Sequence, residues 1–183
     1  MTTQTLRELD ASGTSVTADP TRLTGRDLVR RMLATDAAAA PTVARLALAV
    51  VLFPHGAQHA LGWFGGYGFS GTFQWMTATL GFPAPLAALA IVVELLAPIA
   101  LLFGAAGRPA ALGLFGLMVG AASTHLEHGF FMNWFGGLKA GAEGFEYHLV
   151  VMALAAVVMI AGSGALSLDR RWERRLTATR PVA

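Results

Sequence analysis

Charge is distributed along this chain in a way that few folds can accommodate. Between Leu46 and Gly107 the single formal charge is Glu94, none occurs from Ala110 to His125, and none from Tyr147 to Leu168. A soluble domain carries about 25% charged residues spread over its surface. Here 13% are charged and 55% hydrophobic, and the mean hydropathy of +0.56 points the same way. The chain reads as an integral membrane protein.

Four runs are close to the roughly 20 residues that a bilayer core of about 30 Å requires. They lie at about 43–61, 84–106, 110–125 and 147–162, with Pro41, Pro83 and Pro85 near helix starts and Gly107 at an end. The expected fold is all-α, an integral membrane antiparallel four-helix bundle occupying residues 42–168. Residues 1–41 form an arm that is disordered apart from an amphipathic helix over 24–36. Thr24 and Asp27 have capping-box spacing there, and Leu23 and Leu28 have staple spacing. Its stripe of Leu28, Val29, Met32 and Leu33 beside Arg26, Arg30 and Arg31 suits an anionic membrane surface. Residues 169–183 form a basic tail.

Lysine and arginine orient the bundle. Of thirteen, Lys139 alone lies in the first or third connection, so the positive-inside rule puts both termini in the cytoplasm and the two long loops outside. That asymmetry also explains a pI near 9.7 without nucleic acid as a partner. No apolar h-region occurs in the first forty residues, so the first spanning helix is expected to act as its own insertion signal. Cysteine is absent, which excludes disulfides, thiol relays, thiolate metal sites and iron–sulfur clusters within the chain.

The polar residues gather toward the outer ends. His55 and His59 are i, i+4 on the first helix, about 18 and 24 Å from its inner end at 1.5 Å per residue. His125 ends the third helix, with Glu127 and His128 just beyond, and Glu146, Tyr147 and His148 open the fourth. Glu94 sits about 15 Å down the second helix. A carboxylate at mid-bilayer is costly unless protonated or paired, so Glu94 is expected to be neutral or to meet a histidine or an arginine such as Arg45. Gly56 and Gly62 are expected to admit a neighbouring helix closely. The aromatic stretches 62–75 and 129–135 suit an interfacial belt, with their glycines packing re-entrantly over the bundle mouth.

From these residues come the candidates: Glu94, His125 and Glu146 for proton handling, and His55, His59, Trp63, Phe131, Trp134, Tyr147 and His148 for holding a headgroup. His55, His59, His125, His128 and Glu127 are the candidate metal ligands, since imidazole with carboxylate suits zinc, copper or iron. The cofactor is left open. A quinone headgroup wants an apolar slot, aromatics and proton-exchanging groups. A haem or divalent metal ranks behind it, because neither His-Glu-X-X-His nor paired Glu-X-X-His motifs occur.

With those residues in hand the chain resembles the DoxX family of small bacterial membrane proteins. The matching pieces are RLALAVVLFPHGAQHALGWFGGYGFSGT (45–72), LGFPAPLA with the following Glu94, GRPAAL, HGFFMNWFG, GAEGFEYHLV and GSGALSLDR (162–170), spanning about 43–170. The resemblance implies a four-helix protein of the bacterial cytoplasmic (inner) membrane. It also implies kinship with a small subunit of a terminal quinol oxidase, linked as well to thiosulfate:quinone oxidoreduction, and with membrane partners of soluble redox enzymes. By position it carries over His55, Glu94, His125, Glu146 and Tyr147. The family commonly has Lys where His59 stands; histidine keeps a protonatable group there and loses the permanent charge. The expected function is a quinone-interacting or accessory subunit of a membrane oxidoreductase system. The alternative is a membrane assembly factor or small-solute carrier with no redox role. Expected partners are the lipid bilayer, a redox enzyme at the cytoplasmic face and a second copy of the chain.

Overall fold

Helix ends in the computed structural model are set by a few local signals. The structure describes residues 8–9, 15–16, 24–137, 139 and 142–178. Most of the arm expected to be disordered, Leu23 of the staple, and residues 179–183 therefore lie outside the described residues. Two short strands, β1 (Glu8–Leu9) and β2 (Ser15–Val16), pair antiparallel within the arm. Helix α1 (Gly25–Leu33) opens on a reciprocal cap. The Thr24 hydroxyl accepts from the Asp27 backbone N–H at 3.3 Å, and the Asp27 carboxylate accepts from Thr24 N–H at 3.1 Å, satisfying two donors left over at any helix start.

Four apolar helices follow: α2 (Ala39–Leu61), α4 (Ala84–Phe103), α5 (Gly107–His125) and α6 (Glu146–Ala161). Three stretches, α2, α4 and α5 with the 3-10 turn that extends it to His128, are long and apolar enough to cross a membrane, and α6 is a shorter apolar helix. Helix α2 packs on α4 and α6, and α5 packs on the same two. Leu48, Leu52, Leu101, Leu114 and Val158 meet in the buried core, with Ala44, Ala49, Ala97, Ala111 and Ala155 between them. Small residues at these contacts let the backbones come close, and dispersion and hydrogen bonding then hold helices together where lipid supplies no hydrophobic drive. Val43, Val50, Leu96, Leu112 and Ile160 remain exposed on the outside.

Gly56 is where α2 and α4 come backbone to backbone. A Cβ there would run into the Glu94 carbonyl group and Leu95 Cα, so only glycine lets α2 and α4 touch at this level. Gly62 has a different role from the one expected. Its φ of 73° makes it the left-handed cap that stops α2. The first connection is more regular than a re-entrant coil, forming a 3-10 turn (Trp63–Gly65), α3 (Gly68–Gln74) and a π turn (Trp75–Thr79).

Helix α4 stops at Phe103, and α5 starts at Gly107 rather than at the expected 110. The reason lies far away in sequence. The Asp169 carboxylate accepts from Ala106 N–H (2.7 Å), Gly107 N–H (2.9 Å) and the Ser163 hydroxyl (2.6 Å), capping α5 at the positive end of its dipole. Asp169 belongs to α7 (Leu168–Ala178), a helix in the stretch expected only as a basic tail.

Arg45 completes the same knot. Its Nε donates to Ser163 O (2.7 Å), Nη1 to Leu101 O and Leu102 O (both 2.8 Å), and Nη2 to Ala165 O and Leu166 O (both 3.3 Å). A guanidinium has five N–H groups, and every one is used. Placed against the carbonyl end of α4, the buried cation also meets the negative end of a helix dipole. Arg45 is thus committed to that end of the fold, and it is not the partner of Glu94.

Candidate functional site

At the opposite end, His59 of α2 and Glu94 of α4 face each other. Side chains on a helix lean toward its N-terminus. Because Arg45, near the start of α2, reaches the end of α4, the two helices are antiparallel. His59 therefore leans down toward the core while Glu94 leans up, and they meet: His59 Nδ1 lies 2.6 Å from Glu94 Oε2. The Glu94 side chain is 11% exposed and that of His59 36%.

This pair lines a cavity of about 490 Å³ between α4 and α5. Its walls are mostly apolar, including Trp75, Met76, Phe82, Leu86 and Val93, and the other polar groups lining it include Thr124 and His125. Gly116 and Gly120 of α5 face open space where a Cβ would stand, so the cavity is deep because these positions carry no side chain. The π turn contributes Trp75 and Met76. An extra residue per turn of this kind swings side chains off the α-helical register and is frequent at functional sites.

His125 Nδ1 lies 2.6 Å from the Glu143 carbonyl oxygen. A carbonyl only accepts, so Nδ1 carries the proton and Nε2 is left with a free lone pair in the neutral ring. The His148 ring is 4.8 Å from that of His125, centroid to centroid. His148 is buried, and among the described residues its Nδ1 has no hydrogen-bond partner, nor does the buried Tyr147 hydroxyl.

The expected site residues therefore separate into groups. His59, Glu94 and His125 line one cavity, with His148 against His125. His55 is exposed, its ring 6.3 Å from Tyr147, so the i, i+4 pair on α2 is divided between two neighbouring helices. Glu146 does not reach the cavity; it accepts from Met132 N–H (3.1 Å) and Trp134 Nε1–H (3.3 Å) and pins the loop. Trp63 packs edge-on against Phe53, and Phe131 and Trp134 are exposed on the loop surface. His128 stands 3.8 Å from Glu127 at the surface. Among the described residues no three His, Asp or Glu side chains converge as metal ligands, so the five metal candidates are not brought together.

The residues that sequence reasoning missed are Thr124, Trp75, Met76, Phe82, Gly116 and Gly120. Only the glycines carried a signal, their spacing of four along α5. The family model described as DoxX matches residues 40–127, which contain α4, α5, all of α2 but its first residue, and the whole cavity lining. No curated protein and no solved structure gives a significant match to the chain.

Proposed function

We propose, starting from the membership of residues 40–127 in the DoxX family, that this membrane protein is a quinone-interacting accessory subunit of an oxidoreductase system in the bacterial inner membrane. In this reading α2, α4, α5 and α6 all span, as a four-helix bundle with both termini in the cytoplasm, and the cavity between α4 and α5 opens in the outer half. The observation that carries the reading is the His59–Glu94 hydrogen bond in the lining of a mostly apolar cavity. A volume near 490 Å³ falls in the range of about 300–1,000 Å³ typical of small-molecule sites, which are mostly apolar with a few placed polar groups.

A quinone, when bound, accepts two electrons and two protons, the electrons coming from a partner enzyme. The chain's own residues supply the rest. His59 Nδ1 and Glu94 Oε2 share a hydrogen bond at 2.6 Å, so with that proton on Glu94, His59 can donate Nε2–H to a headgroup oxygen while Nδ1 takes the proton from Glu94. His125 offers Nε2 at the same cavity, its ring held by Glu143. Trp75, Phe82 and the α4 side chains exclude water and favour a flat ring. Gly116 and Gly120 leave room for an apolar tail.

The test is thermal unfolding of the purified protein in lipid nanodiscs with and without a short-chain benzoquinone. A ligand that binds only the folded state raises the transition by mass action. Wild type should shift upward with ligand concentration, and Glu94→Gln should shift much less. No shift in wild type, or an equal shift in both, would overturn the assignment.

A further inference from the structure

Two amphipathic helices from opposite ends of the chain meet at the end of the fold remote from the cavity. Helix α1 packs on α7 and on α5. Asp169 of the polar knot described above ties α7 to the bundle, and a second set of contacts ties α1. Arg108 Nη2 donates to Ala34 O at the end of α1 (2.8 Å), and Nη1 donates to Met159 O (2.8 Å) and Ile160 O (3.0 Å) at the end of α6. Thr35 Oγ1 accepts from Gly164 N–H (2.7 Å), and Asp36 N–H donates to Ala161 O (2.8 Å). At the root of α7, Asp169 is buried on the start of α5. The two helices are therefore fixed to the bundle at the level where α4, α6 and α5 end or begin.

Each helix leaves an apolar stripe uncovered. On α1, Leu28, Val29 and Met32 are about half exposed; on α7, Trp172 and Leu176, four residues apart, are exposed to 40% and 37%. Arginines accompany both stripes: at about 100° per residue Arg31 stands beside that of α1 and Arg171 beside that of α7, while Arg30, Arg170 and Arg174 add positive charge on the other faces. Packed apolar faces are what a soluble helix pair would bury, and here they are presented instead. We infer that α1 and α7 form one platform that lies in the headgroup layer and binds anionic phospholipid, with the apolar stripes entering the acyl boundary and the arginines holding the phosphates. The charge complement selects this occupant. An apolar stripe accompanied by arginine matches the mixed apolar and anionic character of a phosphatidylglycerol surface, and the platform stands where the lipid-facing helices end. The inference does not depend on what fills the cavity.

The absence of cysteine makes the test direct. Single substitutions Met32→Cys and Leu176→Cys, with Thr177→Cys as a polar-side control, are labelled with an environment-sensitive fluorophore. The full chain is then reconstituted in vesicles of phosphatidylcholine alone or mixed with phosphatidylglycerol. The platform predicts blue-shifted emission and quenching by acyl-chain quenchers at Met32→Cys and Leu176→Cys in phosphatidylglycerol vesicles. That signal should weaken in high salt and be lost when Arg30, Arg31, Arg171 and Arg174 are changed together to Gln, with unchanged thermal unfolding of the bundle. Water-like emission at both sites in every vesicle would overturn the inference. So would an apolar environment that is the same in pure phosphatidylcholine and indifferent to the arginines.

Discussion

His59 Nδ1 and Glu94 Oε2 meet at 2.6 Å because the helices that carry them run in opposite directions. In parallel helices, side chains at two different heights lean the same way and keep their separation. Here the antiparallel arrangement closes it, and an acid that would be expensive alone in hydrocarbon has a partner. The pair both joins α2 to α4 and contributes polar groups to the cavity.

Glu94→Gln keeps the shape and leaves a hydrogen-bonding group opposite His59, so the protein should fold with little loss of stability and lose its response to a headgroup ligand. Glu94→Leu leaves the His59 nitrogen facing an apolar neighbour, at a cost of about 1–3 kcal/mol. Thermal unfolding of both variants, with and without a short-chain benzoquinone, separates the two roles. Full ligand response in Glu94→Leu would remove the acid from the site.

Gly56→Ala should be more damaging than its size suggests. The added methyl meets the Glu94 backbone itself, so no rotamer change can relieve it and α2 must move off α4. Overpacking of this kind costs about 1–3 kcal/mol, and it should also weaken the ligand response by spreading His59 from Glu94. Unchanged unfolding in detergent would mean that the two helices are less tightly apposed than they stand here.

Much of the fold was legible because membrane helices announce themselves by what they lack. Long stretches without charge marked the segments that became α2, α4 and α5, and the Thr24–Asp27 spacing marked the start of α1. The partner of Glu94 was not legible. Counting rise along each axis located backbones, whereas the contact depends on side chains leaning in opposite directions. The same counting left Arg45 free to be considered for Glu94, since nothing local says that five carbonyl groups, all of them over fifty residues away, will claim its donors. The cavity itself arises from α4, α5 and a π turn packing together. Its glycines could be read in sequence only as helix contacts, because empty space has no sequence signature.

Filling that space gives a cleaner test of the site than removing its polar groups. Gly116→Ala should stabilise α5, by up to about 1 kcal/mol from helix propensity, since its Cβ would stand in open space. Gly116→Leu should occupy the cavity and abolish ligand-dependent stabilisation while the ligand-free protein unfolds at or above the wild-type temperature. A ligand response that survives Gly116→Leu would place the ligand elsewhere.

Arg45→Met should be the most destabilising of these substitutions. It strips donors from the Leu101, Leu102 and Ser163 carbonyls and leaves the buried Asp169 carboxylate without the nearby cation. Removing one charge from a buried, hydrogen-bonded ionic network typically costs about 3–5 kcal/mol. Arg45→Lys should recover little, because an ammonium has three donors from one atom and cannot span carbonyls on two segments. The measure is folded yield and unfolding midpoint; wild-type behaviour of Arg45→Lys would show that the charge matters and the fork does not.

Topology decides which side of the membrane each feature serves. Arg45, Arg108 and the arginines of α1 and α7 gather at one end of the fold, while Lys139 is the single lysine or arginine in the two connections at the other. Cytoplasmic loops retain such residues during insertion. A reporter fused after Ala183 should therefore read cytoplasm, and one inserted beside Lys139 should read the outside. Moving the bias should move the answer: replacing the arginines of α7 with Gln while adding lysines beside Lys139 should produce a mixed population. If the wild-type insertion beside Lys139 reads cytoplasm, the cavity opens toward the inner half, and the arginine platform would face the outer leaflet, where it could not meet cytoplasmic-leaflet lipid.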